Sequence, residues 1–388
     1  MTGYHSLSLI ARLLPALVVA YPGQLGGFSL EESRGLQNSS QAESACRKGL
    51  ELAGSSNPAQ ALPSLSSCQQ ILSKQKGETA NPLRWEVAKA LLKLEKFVEA
   101  ASVLEAIHDV SQEGLRQKML GLCYAKSSRR DVAIQCFGRA VSLDSRDAEA
   151  RFNLGVLLSE NKEVNQALTQ LGEAVNLQPE EPKYSLALAE VLIEAKRYSI
   201  AVEFLNAVRP RFEKLGQFHY TIGLAHYGQH NAPTAIEAML RATEIDPKME
   251  AAFYFLGNAY ALAEQYEMAC GAYREAIKLN PKSAIYYGRL ALVAEKLGNA
   301  EEVVHSLDQV VRLNPEDVIS QLNLAKALYK ANRLPEAIQQ LENAVQKVPD
   351  YKEAYYLLSS YSRQIGDVKA ADRYIETYRR LARQTTTK

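Results

Sequence analysis

A small residue returns every 34 positions along most of this chain, and that spacing limits what it can fold into. Gly121, Gly155, Ala189, Gly223, Gly257, Ala291, Ala325 and Ser359 hold one register, and Ala88 stands one residue short of the same step. The residue before each is a branched aliphatic: Val87, Leu120, Leu154, Leu188, Ile222, Leu256, Leu290, Leu324 and Leu358. Twelve residues after it comes Ala100, Ala133, Ala167, Ala201, Ala235, Ala269, Val303, Ala337 or Ala371. Four further on the residue is always large: Leu104, Phe137, Leu171, Leu205, Met239, Tyr273, Leu307, Leu341 and Ile375. Self-similarity at such a period marks a repeat architecture rather than one globular core.

Each repeat reads as two amphipathic helices joined by a short turn. Units start at Asn81, Gly114, Ala148, Pro182, Gly216, Glu250, Ala284, Val318 and Lys352, and many end on a proline such as Pro179, Pro247, Pro281, Pro315 or Pro349. Proline there suits a helix end, because it cannot continue one. A helical glycine costs about 1 kcal/mol relative to alanine, so Gly257 implies close helix approach, with the large residues filling the groove. Alternating β-branched runs are missing, and the fold class is all-α. Residues 41–80, which include "QAESACRKGLELAGSSNPAQALPSLSSCQQIL", form a degenerate tenth pair with Gly49 and Ala61 at the key spacing. Pro210 is expected to cut short the second helix of the unit from Pro182. The last unit carries Ser359, a bulky Tyr378 and three arginines, as suits a terminal helix facing water.

The pattern resembles the tetratricopeptide repeat, with Phe253, Leu256, Gly257, Tyr260, Ala269, Tyr273, Ala276 and Pro281 at its signature places. The resemblance covers nine repeats, 81–385, and implies a right-handed superhelical α-solenoid of antiparallel helix pairs. It also implies that the first helices line a concave face that binds a protein or an extended peptide. The residues it maps inward are Phe152, Asn153, Tyr220, Tyr227, Tyr254, Phe255, Asn258, Arg289 and Asn323. They serve either as partner contacts or as ordinary packing between repeats. The family's carboxylate clamp is matched at Lys118, Asn153 and Lys183, but Leu122 and Ala187 replace its other members. The asparagine ladder of its sugar-transferase branch is interrupted by Met119, Ala187, Thr221, Phe255 and Leu357. A non-catalytic scaffold is therefore expected, with a glycan or small ligand in the superhelix lumen as the alternative.

The net charge of +1 and pI of about 7.6 supply no basic track for nucleic acid. Phosphate loops, nucleophile elbows and paired-cysteine zinc motifs are lacking, so neither enzyme activity, a cofactor nor a metal is expected. His219, His226 and His230 cluster, but the repeat register gives the second a packing position and the third a turn. Residues 1–20 read as a secretory signal peptide built on "LLPALVVA" (13–20), followed by a flexible linker at 21–40 and a short tail at 386–388. The expected location is thus periplasmic or extracellular, or cytoplasmic if that run is not a signal. No run reaches the length of a membrane span, and a monomer is favoured. Of five cysteines, Cys123, Cys136 and Cys270 read as small apolar fillers. Cys46 and Cys68 lie at opposite ends of two antiparallel helices. They either remain thiols or, in an exported chain, form a disulfide that pins the weak terminal pair.

Overall fold

The computed structural model describes residues 41–385 apart from 55–57, 75–79 and 109. The leader, linker and tail segments (1–20, 21–40 and 386–388) lie outside the described residues. Among the described residues there are twenty α-helices and no strand. The first ten are α1 (Gln41–Ala53), α2 (Leu62–Lys74), α3 (Asn81–Lys93), α4 (Phe97–Glu105), α5 (Glu113–Lys126), α6 (Arg130–Leu143), α7 (Ala148–Glu160), α8 (Val164–Leu177), α9 (Pro182–Glu194) and α10 (Tyr198–Phe212). The second ten are α11 (Gly216–Gly228), α12 (Ala232–Ile245), α13 (Glu250–Leu262), α14 (Tyr266–Leu279), α15 (Ala284–Lys296), α16 (Ala300–Leu313), α17 (Val318–Lys330), α18 (Leu334–Lys347), α19 (Lys352–Gln364) and α20 (Val368–Thr385). Eight of the nine repeats open their first helix on the residue that the period predicts. The exception, α5, starts one residue early, at Glu113.

The chain forms two compact units, residues 1–211 and 212–388. Within each, helix pairs stack on their sequence neighbours as in an α-solenoid. The first unit has one continuous apolar core running from Cys46 and Leu65 through Leu104, Phe137 and Leu171 to Tyr184 and Val191. In the second, Leu324, Leu341, Leu358 and Tyr361 belong to one such cluster.

The glycine of each repeat faces the large residue sixteen positions on. A Cβ on Gly257 would stand 2.6 Å from Cε1 of Tyr273, and one on Gly121 would stand 2.8 Å from Cδ2 of Phe137. Gly155 meets Leu171 and Gly223 meets Met239 in the same way. Gly49 stands in this relation to Leu65 on α1 and α2. Most of these close contacts are backbone against side chain within one repeat, rather than backbone against backbone.

The turn inside each repeat is built from the main chain. Glu95, Ser128, Lys162, Lys196, His230, Glu264, Gly298, Asn332 and Gly366 all have positive φ, between 58° and 86°. In the unit from Ala148, Lys162 N–H donates to Ser159 at 2.9 Å and Glu163 N–H donates to Leu158 at 2.9 Å. These are the two bonds of a Schellman cap, which satisfies carbonyls the helix end leaves open. The equivalent pair of bonds occurs in all nine repeats. Side-chain caps start some helices: Asp147 accepts from Ala150 N–H, Asn299 from Glu302 N–H and Asp317 from Ile319 N–H.

The expected shortening at Pro210 does not occur, because α10 continues to Phe212 with the proline inside it. So close to the C-terminal end, a missing N–H disturbs little of the helix. Val208 and Phe212, one turn apart, are both buried. The division between the two compact units falls just after this proline, between Arg211 and Phe212.

Cys46 and Cys68 form a disulfide between α1 and α2, with Cα atoms 4.8 Å apart. Cys123, Cys136 and Cys270 are buried thiols. Burial pushes the Cys123 thiol up to about 12, which suits a packing residue and not a nucleophile.

Candidate partner-binding surface

In the first unit Phe152 and Asn153 lie on α7, and both are buried. The Phe152 ring meets Tyr184 on α9 at 5.2 Å between centroids, and the Lys183 ammonium sits 5.1 Å from the Tyr184 centroid. Lys118 bridges Asp147 Oδ2 at 2.8 Å and Glu149 Oε2 at 3.3 Å. Of the three clamp-like residues, one thus neutralises carboxylates of the next repeat and another lies beside an aromatic ring. The group is arranged as a seam between repeats.

The second unit contains the larger aromatic cluster. Tyr220 and Tyr227 lie one face apart on α11, at i and i+7, and Phe255 on α13 meets them edge-on at 5.9 and 6.0 Å. Tyr254 touches Phe255 at 5.1 Å, Tyr273 at 6.1 Å and Tyr286 on α15 at 5.1 Å. Tilted and edge-on pairs at such distances are favourable beyond their buried area. Tyr220 is only 3% exposed, whereas Tyr227, Tyr254 and Phe255 are half-buried. Tyr220 therefore serves the seam between α11 and α13, and the other three combine packing with an open edge.

Asn258 is buried, and its Oδ1 accepts the Tyr273 hydroxyl at 2.8 Å. Burial drives the Tyr273 hydroxyl well above the ordinary phenol range, so it stays a donor at physiological pH. Sequence spacing offered Asn258 as a partner contact, and the structure gives its carbonyl oxygen an internal donor. Arg289 on α15 is half-buried, and Asn323 on α17 is exposed. The period placed all these residues on first helices. It gave no sign of how far each would be covered by the next repeat, which depends on the side chain found there.

The histidines are separated by role. His219 is buried, with Nε2 2.7 Å from the Glu213 carbonyl oxygen, and His230 is the positive-φ residue of its turn. Among the described residues no three His, Cys, Asp or Glu side chains converge as metal ligands. Nor is any described helix long and apolar enough to cross a membrane.

A family model described as "Tetratricopeptide repeat" matches residues 118–175, 220–284, 289–351 and 322–385. The bovine (Bos taurus) "BBSome complex member BBS4" is 24% identical over 233 residues, covering 59% of this chain and 45% of that protein. The human (Homo sapiens) "Protein O-mannosyl-transferase TMTC1" is 26% identical over 169 residues, covering 42% of this chain and 19% of that protein. The chain thus spans less than half the length of either relative. Among solved structures, YrrB, titled a TPR protein with an unusual peptide-binding site, superimposes with a TM-score of 0.39 at 18% identity. That match covers 48% of this chain and 96% of YrrB.

Proposed function

Since the chain belongs to the tetratricopeptide-repeat family, we propose that it is a non-catalytic scaffold that binds a protein or extended peptide through its first helices. The fold is one suited to protein interaction. The observation that carries the reading is the row of half-buried rings, Tyr227, Tyr254 and Phe255, on the neighbouring helices α11 and α13. Rigid aromatic side chains lose little rotamer entropy on contact and dominate many interfaces. The open edge of Asn323 adds amide donors and an acceptor for a partner's backbone.

An array of unmodified peptides and glycans, probed with the full chain, tests this reading. Peptide binding is expected, and Tyr254→Ala should weaken it by about 1–3 kcal/mol per folded molecule. Tyr254→Ala that loses stability but leaves peptide binding per folded molecule unchanged would remove the aromatic row as the site. Binding confined to the glycans would favour a lumenal ligand instead.

Export belongs to the same proposal. It is supported by the apolar run at 13–20 and by the Cys46–Cys68 disulfide, a linkage typical of oxidising compartments. Mass spectrometry of the mature chain should find a start near Tyr21, and an intact Met1 or Thr2 in cytosolic protein contradicts export.

A further inference from the structure

Four first helices of the second unit stand side by side. Lys330 on α17 pairs with Glu295 on α15 at 2.6 Å, and Lys326 on α17 pairs with Glu353 on α19 at 2.7 Å. Tyr254 on α13 meets Tyr286 on α15. On α15, Ile285, Gly288 and Leu292 follow i, i+3, i+7 and share one face. Ile319 on α17 is the counterpart of Ile285 one repeat later. Ile285, Leu292 and Ile319 are 47%, 54% and 60% exposed, so neighbouring helices hold aliphatic side chains in water.

Gly288 sits among them, and its role differs from that of the packing glycines. A Cβ added to Gly257 would collide with Tyr273, but one added to Gly288 would meet nothing within 4 Å. No neighbour inside the fold requires the missing side chain, although a mid-helix glycine costs about 1 kcal/mol. It leaves a hollow on the surface, and close approach by another chain is a common use of such a position. Charges beside this stripe are already matched, Lys330 by Glu295 and Lys326 by Glu353. An acidic or basic partner would have to break those pairs.

We infer that Ile285, Gly288, Leu292 and Ile319 form a docking stripe for an uncharged, aliphatic peptide segment, whose side chain enters the hollow at Gly288. The inference rests on the partner-binding reading above and specifies its ligand class. A second copy of the chain is a poorer fit. Three half-exposed aliphatic side chains offer a few hundred Å² at most, against roughly 800 Å² per partner in a stable complex.

The test uses the full chain and fluorescein-labelled dodecapeptides in four sets: uncharged aliphatic, uncharged polar, acidic and basic. The aliphatic set should bind best. Gly288→Leu fills the hollow and should weaken that binding at least about tenfold, with the urea midpoint unchanged or higher. Ile319→Glu should weaken it similarly. A preference for acidic, basic or polar peptides would overturn the ligand class and leave the scaffold reading standing. Peptide binding sensitive to Tyr254→Ala, but indifferent to Gly288→Leu and Ile319→Glu, would overturn the stripe alone. Failure of all four sets would overturn both readings. Self-association in light scattering that Ile319→Glu abolishes would make the occupant a second copy and also overturn the inference.

Discussion

The Tyr273 hydroxyl donates to Asn258 Oδ1 while its ring occupies the space that a Gly257 side chain would need. One tyrosine thus satisfies a buried amide and forbids a Cβ on the residue beside that amide. This couples three positions of one repeat, and the other repeats show what the coupling permits. Where the small residue is alanine, at Ala88, Ala189, Ala291 and Ala325, the residue sixteen places on is always leucine. Phe137, Met239 and Tyr273 each face a glycine.

Gly257→Ala should therefore destabilise the protein by about 1–3 kcal/mol through overpacking, even though alanine is the better helix former. Adding Tyr273→Leu should restore part of the loss, because Ala–Leu is the pair used in four other repeats. The shortfall measures the hydrogen bond lost at Asn258. Urea unfolding of the single and double variants decides the matter, and a Gly257→Ala protein as stable as the parent would defeat it.

The positive-φ turns give a second expectation. Gly298→Val places a β-branched residue in the left-handed region and should cost about 1–2 kcal/mol. Lys162→Gly relieves the same strain in another repeat and should be neutral or mildly stabilising. Thermal unfolding of both variants is the measurement, with the expectation rejected if Gly298→Val unfolds at the parent temperature.

Alkaline pH supplies a third. Tyr124 is pushed up to about 12 by burial and by the Glu105 carboxylate that accepts its hydroxyl. Tyr374 is raised to about 12 by burial and by Glu342, which accepts its hydroxyl at 2.8 Å. Both folded values exceed the unfolded one of about 10. Their contribution to stability is full below about pH 10 and declines as pH rises toward about 12. Urea midpoints across that range should fall, and Tyr124→Phe should reduce the fall. An equal decline in parent and variant would show that Tyr124 is not responsible.

How much of this was legible differs by level. The helix pairs could be read from the residues because close packing restricts identity: only a small residue fits opposite Tyr273 or Phe137. The nine turns left little trace. Their caps are made by main-chain groups, so Glu95, Lys196 and Glu264 serve where glycine might be sought. Pro210 misleads for the opposite reason, being a strong helix breaker placed where the helix has almost ended. Covering of the aromatic columns was also hidden. Tyr220 lies edge-on to Phe255 in the next repeat, whereas the same step from Tyr254 arrives at Gly288, which has no side chain to lay over it.

The contact between each small residue and the large one sixteen places on has a consequence for how such a chain can change length. Both members lie in the same 34-residue period, and the capped turn lies between them. A recombination breakpoint at a boundary between repeats divides none of these pairs, whatever sequence it joins. Breakpoints elsewhere preserve the pairs only when the exchanged segments are in phase. Duplication or loss of whole repeats therefore leaves every remaining pair matched, and the number of repeats can drift while the packing rule stays constant.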